Sequence, residues 1–152
     1  MVEITASAGV TDELRDALMS VLGEGGVVSD PAVLSAQSGD WSEARKMAPA
    51  LALFPRTPQQ VADVLALCAR HRQKIVVQGG LTGLAGGATP VPAEVALSLA
   101  RLNRIEDLDV VGGTATVQAG VILEELQARV ESQDWYFPLD LGARGSCQVG
   151  GN

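Results

Sequence analysis

The sequence predicts an α+β (mixed α/β) domain. Short apolar runs bounded by breakers alternate with segments of helical period, and one pair of runs is joined as a hairpin. With 152 residues, the chain allows one domain with a real core and is short for a two-domain enzyme.

The elements follow in order. Asp12–Leu22 reads as a helix: Thr11 is the N-cap, Leu14, Ala17, Leu18, Val21 and Leu22 recur at helical spacing, and Gly23 stops it. Residues 23–50 read as irregular because Gly23, Gly25, Gly26, Pro31 and Pro49 interrupt them. Ala50–Phe54 is a short buried strand closed by Pro55. Thr57-Pro58 opens the clearest helix, with a capping hydroxyl and a proline whose missing N–H costs nothing at the first helical position. Val61, Val64, Leu65 and Cys68 are expected to form its core stripe. Cys68 is thereby a small core residue, and His71 a surface charge at the basic helix end Arg70–Arg72. Lys74–Gln78 and Glu94–Ala100 are strands. Ile105–Val111 and Thr114–Ala119 make a hairpin with Gly112-Gly113 as a two-residue turn. A last helix is expected over 121–132, with Leu123, Leu126, Gln127 and Val130 at helical spacing, before a tail without periodicity over 135–152.

Composition removes several function classes. Lys+Arg 11 against Asp+Glu 18 gives a net charge of −7, without the clustered positive surface a nucleic-acid binder needs. No apolar run approaches the roughly 20 residues that span a bilayer, so no transmembrane segment is expected. Residues 1–14 lack a basic region followed by an apolar stretch, so no secretory signal is read. Two cysteines without a CxxC partner and one histidine cannot build a metal site of the His/Cys kind, and nothing near His71 resembles a nucleophile elbow. No catalytic residue and no metal ligand is assigned.

The informative stretch is IVVQGGLTGLAGGATP, residues 75–90. Five glycines in the nine positions 79–87 cost folding entropy unless the backbone needs positive φ or a close approach. Successive backbone N–H groups in such a loop form a concavity for an anion such as phosphate or pyrophosphate, and Thr82 can add a hydroxyl. The spacing matches neither GxGxxG nor GxxxxGK[ST], and Pro90 and Pro92 follow the loop. A glycine-rich edge loop with no ligand is the competing reading. A second cluster, FPLDLGARGSCQVGGN over 137–152, reads either as a flexible tail or, from its apolar Phe137, Pro138, Leu139 and Leu141, as a buried segment.

Further pieces accompany these clusters in order: Asp40-Trp41, LFPRTP over 53–58, LSLARLNRI over 97–105 and QAGV over 118–121. Together, over about residues 30–152, they resemble the flavin-binding domain of the vanillyl-alcohol-oxidase/PCMH-type FAD oxidoreductases. Within that superfamily they are most similar to the FAD-linked D-2-hydroxyacid dehydrogenases, the group of D-2-hydroxyglutarate dehydrogenase, D-lactate dehydrogenase and the glycolate oxidase D-subunit. The resemblance implies the first half of a PCMH-type domain, with residues 1–46 as a helical and irregular lead-in and 47–152 as the domain, truncated on its C-terminal side. It implies FAD as cofactor, held by Gln78, Gly79, Gly80, Leu81, Thr82, Gly83 and Leu84 at the pyrophosphate. Pro138, Leu139, Gly142, Ala143, Ser146, Cys147, Gly150, Gly151 and Asn152 would lie along the flavin and its linker. Leu81 stands where relatives usually carry a small or polar residue. No histidine lies in the loop, so the flavin is expected to be noncovalent, and the spacing of Cys147 to Gly150-Gly151 differs from cysteinyl-flavin families.

The implied activity is oxidation of a D-2-hydroxy acid to the 2-oxo acid by hydride transfer to flavin. The chain would represent about the first third of such an enzyme, inactive by itself, with self-association through the face left for the rest. A non-catalytic FAD-binding module completed by a partner chain, or a ligand-free remnant, are the alternatives. The resemblance also implies a cytoplasmic or peripheral inner-membrane location, which in the sequence has only the unseen signal behind it.

Overall fold

Thr11 begins α1 (Asp12–Leu22) as expected: its hydroxyl accepts the Leu14 amide at 3.3 Å, and Gly23 ends the helix with its N–H on Met19 O at 2.9 Å. The structure is a computed structural model describing residues 9–44 and 46–152. The absence of a signal was read largely from residues 1–8, which lie outside the described residues.

The span expected to be irregular contains two elements, β1 (Val27–Val28) and α2 (Pro31–Ala36). Asp30 caps α2, accepting the amides of Ala32 at 2.9 Å and Val33 at 3.2 Å, and Pro31 occupies the first turn. That helix buries no residue, so no apolar period marks it in the sequence. Then follow β2 (Leu51–Leu53), α3 (Pro58–Arg70), β3 (Ile75–Gln78), β4 (Val95–Ser98), β5 (Ile105–Asp109), β6 (Thr114–Val117) and α4 (Leu123–Glu131), with a 3-10 turn at Val149–Gly151.

Four strands form one sheet in the order β1-β2-β4-β3, with β2, β4 and β3 parallel and β1 antiparallel on the far edge. The β2–α3–β3 crossover skips one position, which β4 then fills. Register aligns Leu51, Val95 and Ile75 in one row and Leu53, Leu97 and Val77 in another. Leu51, Leu53, Val95 and Leu97 share one core with Leu14, Leu18 and Leu22 of α1 and Val64, Leu67 and Cys68 of α3. Along the strands, Ala52, Ala96, Val76, Ser98 and Gln78 alternate onto the opposite face. Its small residues leave room there for loop backbone.

The α3 stripe differs from expectation at one position. Leu65 is 44% exposed, and Leu67 is buried in its place beside Val64 and Cys68. The steps 64, 67 and 68 line up on the side that packs against α1, while Leu65 points about 100° away. Burial pushes the Cys68 thiol up to about 11, as befits an inert core residue. His71 caps α3 at the surface.

Hairpin β5–β6 turns through Val110–Gly113, not through Gly112-Gly113 alone, because Asp109 pairs with Thr114 and its carboxylate accepts the amides of Val111 and Gly112, each at 2.9 Å. The hairpin and α4 enclose a second cluster of Val121, Leu126 and Val130 with Ile105, Leu108, Val117, Phe137 and Val149. The two bodies meet where the Gly120 amide donates to Leu102 O at 2.7 Å. Among the described residues no helix is long and apolar enough to cross a membrane.

Leu97 stands in the central strand and is 1% exposed. Leu97→Ala is expected to lower stability by about 2–5 kcal/mol through lost burial and a residual cavity, read as a lower midpoint in urea unfolding at unchanged m.

Candidate functional site

Three parallel strands point their C-terminal ends to one edge of the sheet, the edge where open α/β sheets bind ligands. There β3 runs out into the glycine loop. Gln78, fully buried at the strand end, braces the loop base: its Nε2 donates to Gln37 O and Ala88 O, both at 2.8 Å. The segment after α2 supports the outer side. The Trp41 amide donates to Gly83 O at 2.9 Å, and the buried Asp40 carboxylate accepts the Ser42 amide at 3.0 Å and the Ser42 hydroxyl at 2.5 Å. The Ser42 hydroxyl, joined by the amides of Ser42, Ala88 and Gly86, holds the Asp40 carboxyl below its ordinary value against the opposing effect of burial.

Within that frame the backbone from Gly79 to Leu84 is unspent. None of its amides donates to another group among the described residues. A run of free N–H groups, half-buried at 79–82, is the arrangement an oxyanion completes. Leu81 adopts φ +57°, a left-handed conformation that glycine and asparagine take more easily than leucine. This gives the sequence departure at Leu81 a structural meaning.

The two glycine segments meet. A Cβ at Gly80 would overlap the carbonyl oxygen of Ser146 and come within 3.0 Å of Cys147 Cα, so these backbones touch directly. A Cβ at Gly79 would stand 3.4 Å from Gln148 Oε1. The side-chain oxygens of Gln37, Gln78 and Gln148 are buried with no partner among the described residues, which marks the loop base as the place where polar groups remain unsatisfied.

The later segment divides into two parts. Cys147 is 2% exposed; its amide donates to Ala143 O at 2.8 Å and its sulfur faces Asn152 Nδ2 at 3.5 Å. Gly150 donates to Ala119 O at 2.8 Å, while Gly151 is exposed. Pro138, Leu139, Gly142 and Ala143 belong to a stretch running beside α4, tied by Gln127 Nε2 to Leu139 O at 2.7 Å. The exposed Arg144 bridges Glu124 at 3.8 Å and Asp140 at 3.5 Å, contacts worth little in water. A concavity of about 370 Å³ beside α4, lined by Glu124, Gln127, Glu131, Asp140 and Arg144 among others, does not include the loop amides. Its carboxylates would repel the anion that those amides suit.

Asp40, Ser42, Gln37 and Gln148 were not singled out as site residues by sequence. The Asp-x-Ser spacing at 40–42 is a readable turn signal, but nothing local places it under a loop some 40 residues on. Among the described residues no group of three or more His, Cys, Asp or Glu side chains is placed to hold a metal ion.

Residues 49–152 match the family described as FAD binding domain. The chain is 41% identical over 132 residues to the mitochondrial D-2-hydroxyglutarate dehydrogenase of Arabidopsis thaliana, covering 87% of this chain and 24% of that protein. It is 41% identical over 128 residues to the bovine (Bos taurus) mitochondrial enzyme of the same name, covering 84% and 24%. A Schizosaccharomyces pombe protein assigned as a mitochondrial D-lactate dehydrogenase is 45% identical over 123 residues, covering 81% and 23%. The chain thus spans about a quarter of the length of the curated relatives it matches. In fold it resembles alkyldihydroxyacetonephosphate synthase, with a TM-score of 0.85 at 20% identity over 98% of this chain and 30% of that one. It also resembles p-cresol methylhydroxylase, with a TM-score of 0.73 at 22% identity over 91% and 28%. The relatives' names overturn the cytoplasmic expectation, since all three are mitochondrial. That expectation came from the family resemblance with an unseen signal as its only support, and an absence in one stretch of sequence does not fix a compartment.

Gly80→Ala is expected to disrupt the loop junction and lower the thermal midpoint by several degrees. Gly87→Ala, whose Cβ would meet nothing within 4 Å, should leave the midpoint within about a degree. The depressed Asp40 carboxyl contributes stability that is fully present above its unfolded value near 3.8 and is lost as pH falls through the lower folded value. Acid titration of Asp40→Asn should therefore show reduced stability at neutral pH and a shallower loss below about pH 4 than the parent chain.

Proposed function

The chain belongs to the PCMH-type FAD-binding domain family, and from that premise we propose that it is the FAD-holding portion of an oxidoreductase converting a D-2-hydroxy acid to the 2-oxo acid. The observation that carries this reading is the run of unpaired amides at Gly79–Leu84, pressed by Gly80 against Ser146–Cys147.

In this proposal the amides of Gly79, Gly80, Leu81, Thr82, Gly83 and Leu84 hold the pyrophosphate. Gln78 serves by its side chain as the brace beneath them. Oriented amides suit a doubly negative group in a chain of net charge −7, because they supply local positive potential where bulk charge cannot. Ser146, Cys147, Gly150, Gly151 and Asn152 would line the path of the flavin and its linker, joined by Pro138, Leu139, Gly142 and Ala143 from the stretch beside α4. The bound flavin, held noncovalently, supplies the acceptor for the hydride from C2 of the substrate. Residues 47–152 then form the opening part of the FAD-binding domain and 1–46 its lead-in, although α1 already shares the sheet's core.

The names of the relatives support the substrate class and a mitochondrial location. No residue here is assigned to acid, base or metal chemistry, so the 152-residue chain is expected to be inactive alone. β3 is a sheet edge, Val77 on it is 52% exposed, and Trp41 and Leu84 are 62% and 78% exposed. These features favour self-association or docking of a completing segment.

The chain is expected to retain FAD through desalting with a perturbed visible flavin band, and Gly80→Ala to lose both. A colourless chain after loading would count against a self-standing site and favour one completed by additional polypeptide.

A further inference from the structure

Arg56 and Arg101 follow the C-terminal ends of β2 and β4, and Arg104 lies just before β5. With Ala100 and Asn103 they line one pocket of about 360 Å³. The chain is acidic overall, yet these guanidinium groups gather without a carboxylate: among the described residues, the ion pairs are those of Arg144. Arg101 is fixed in place. Its Nη1 donates to Gly25 O at 2.9 Å, and its guanidinium lies 5.0 Å from the Phe54 ring centroid. Among the described residues, four of its five N–H donors remain for other partners. Burial, and then the neighbouring Arg56 charge, holds the Arg101 guanidinium below its ordinary value, as expected where like charges stand together. The N-terminus of α3, capped by Thr57, begins beside Arg56 and adds positive potential of the same sign.

We propose that this pocket binds a small dianion through a phosphate or dicarboxylate group, at a site separate from the loop amides. Guanidinium forks present paired N–H donors to two oxygens of one group, and a dianion relieves the repulsion between clustered arginines. The site does not depend on the flavin reading, since none of its residues is assigned to the cofactor.

The test titrates the full chain with inorganic phosphate and, separately, with succinate, at constant ionic strength set by sodium chloride. The readouts are the thermal midpoint and backbone amide shifts at 100–104. At least one dianion should give a saturable response, weakened about tenfold or more in Arg56→Gln and in Arg104→Gln. Both residues are exposed, so these variants should keep the fold, whereas Arg101 also secures Gly25 and Phe54. A phosphate response alone assigns a phosphate-bearing ligand, and a succinate response alone assigns a dicarboxylate. A response no larger than that to chloride, or one undiminished in the variant carrying both substitutions, would overturn the proposal. FAD retention is measured on the same variants and should be unchanged; its loss in the parent chain would count against the flavin site alone.

Discussion

The direct contact of Gly80 with the Ser146–Cys147 backbone is the constraint on which the rest of the structure depends. It joins the loop that leaves the parallel sheet to the segment that leaves the hairpin and α4, so two separate apolar clusters act as one support. No side chain fits between them. The price of that contact is glycine's loss of freedom on folding, roughly 0.5–1 kcal/mol relative to alanine. What it achieves is orientation: with one side of the loop closed by 146–148 and the other by Asp40–Ser42, the amides of 79–84 have no protein partner left among the described residues.

Electrostatics explains why a backbone site suits this chain. A net charge of −7 gives a field that repels anions over most of the surface. Backbone dipoles are fixed by the fold and act at contact distance, where salt and distant carboxylates matter little. The arginine pocket works differently, by gathering formal charge at one point on the same edge of the sheet. The two arrangements therefore differ in salt response: guanidinium groups at the surface lose attraction as ionic strength rises, whereas the half-buried amides lose less.

What the sequence revealed depended on how local the cause was. Thr11 and Thr57-Pro58 cap their helices as read, because a cap is decided within four residues. β2 and β4 were legible as apolar runs, since strands buried on both faces carry no alternation. Asp30-Pro31 carried the same capping signal, but α2 buries nothing, and the expected breaker at Pro31 proved to be its first residue. Leu65 and Leu67 differ by two positions on one helix, and only the placement of α1 decides which is buried. At the site, glycine density located the loop, while the supports from Gln37, Asp40 and Gln148 were hidden. Each is an ordinary polar residue whose role is set by a contact distant in sequence.

Leu81 connects these points. A leucine at φ +57° carries conformational strain of order 1–3 kcal/mol, and the amides around it have no protein partner among the described residues. Nothing in the local sequence relieves either: the next residues are Thr82 and Gly83, not a helix that could absorb the turn. A loop in this condition is stabilised by any anion that binds the folded chain and not the unfolded one, by RT ln(1 + [L]/Kd), or about 2.7 kcal/mol at a hundredfold excess over Kd. That gain is of the same order as the strain at Leu81. In the reading proposed above, the loop conformation and its anion are energetically coupled, because the backbone that strains Leu81 is the backbone that presents the amides.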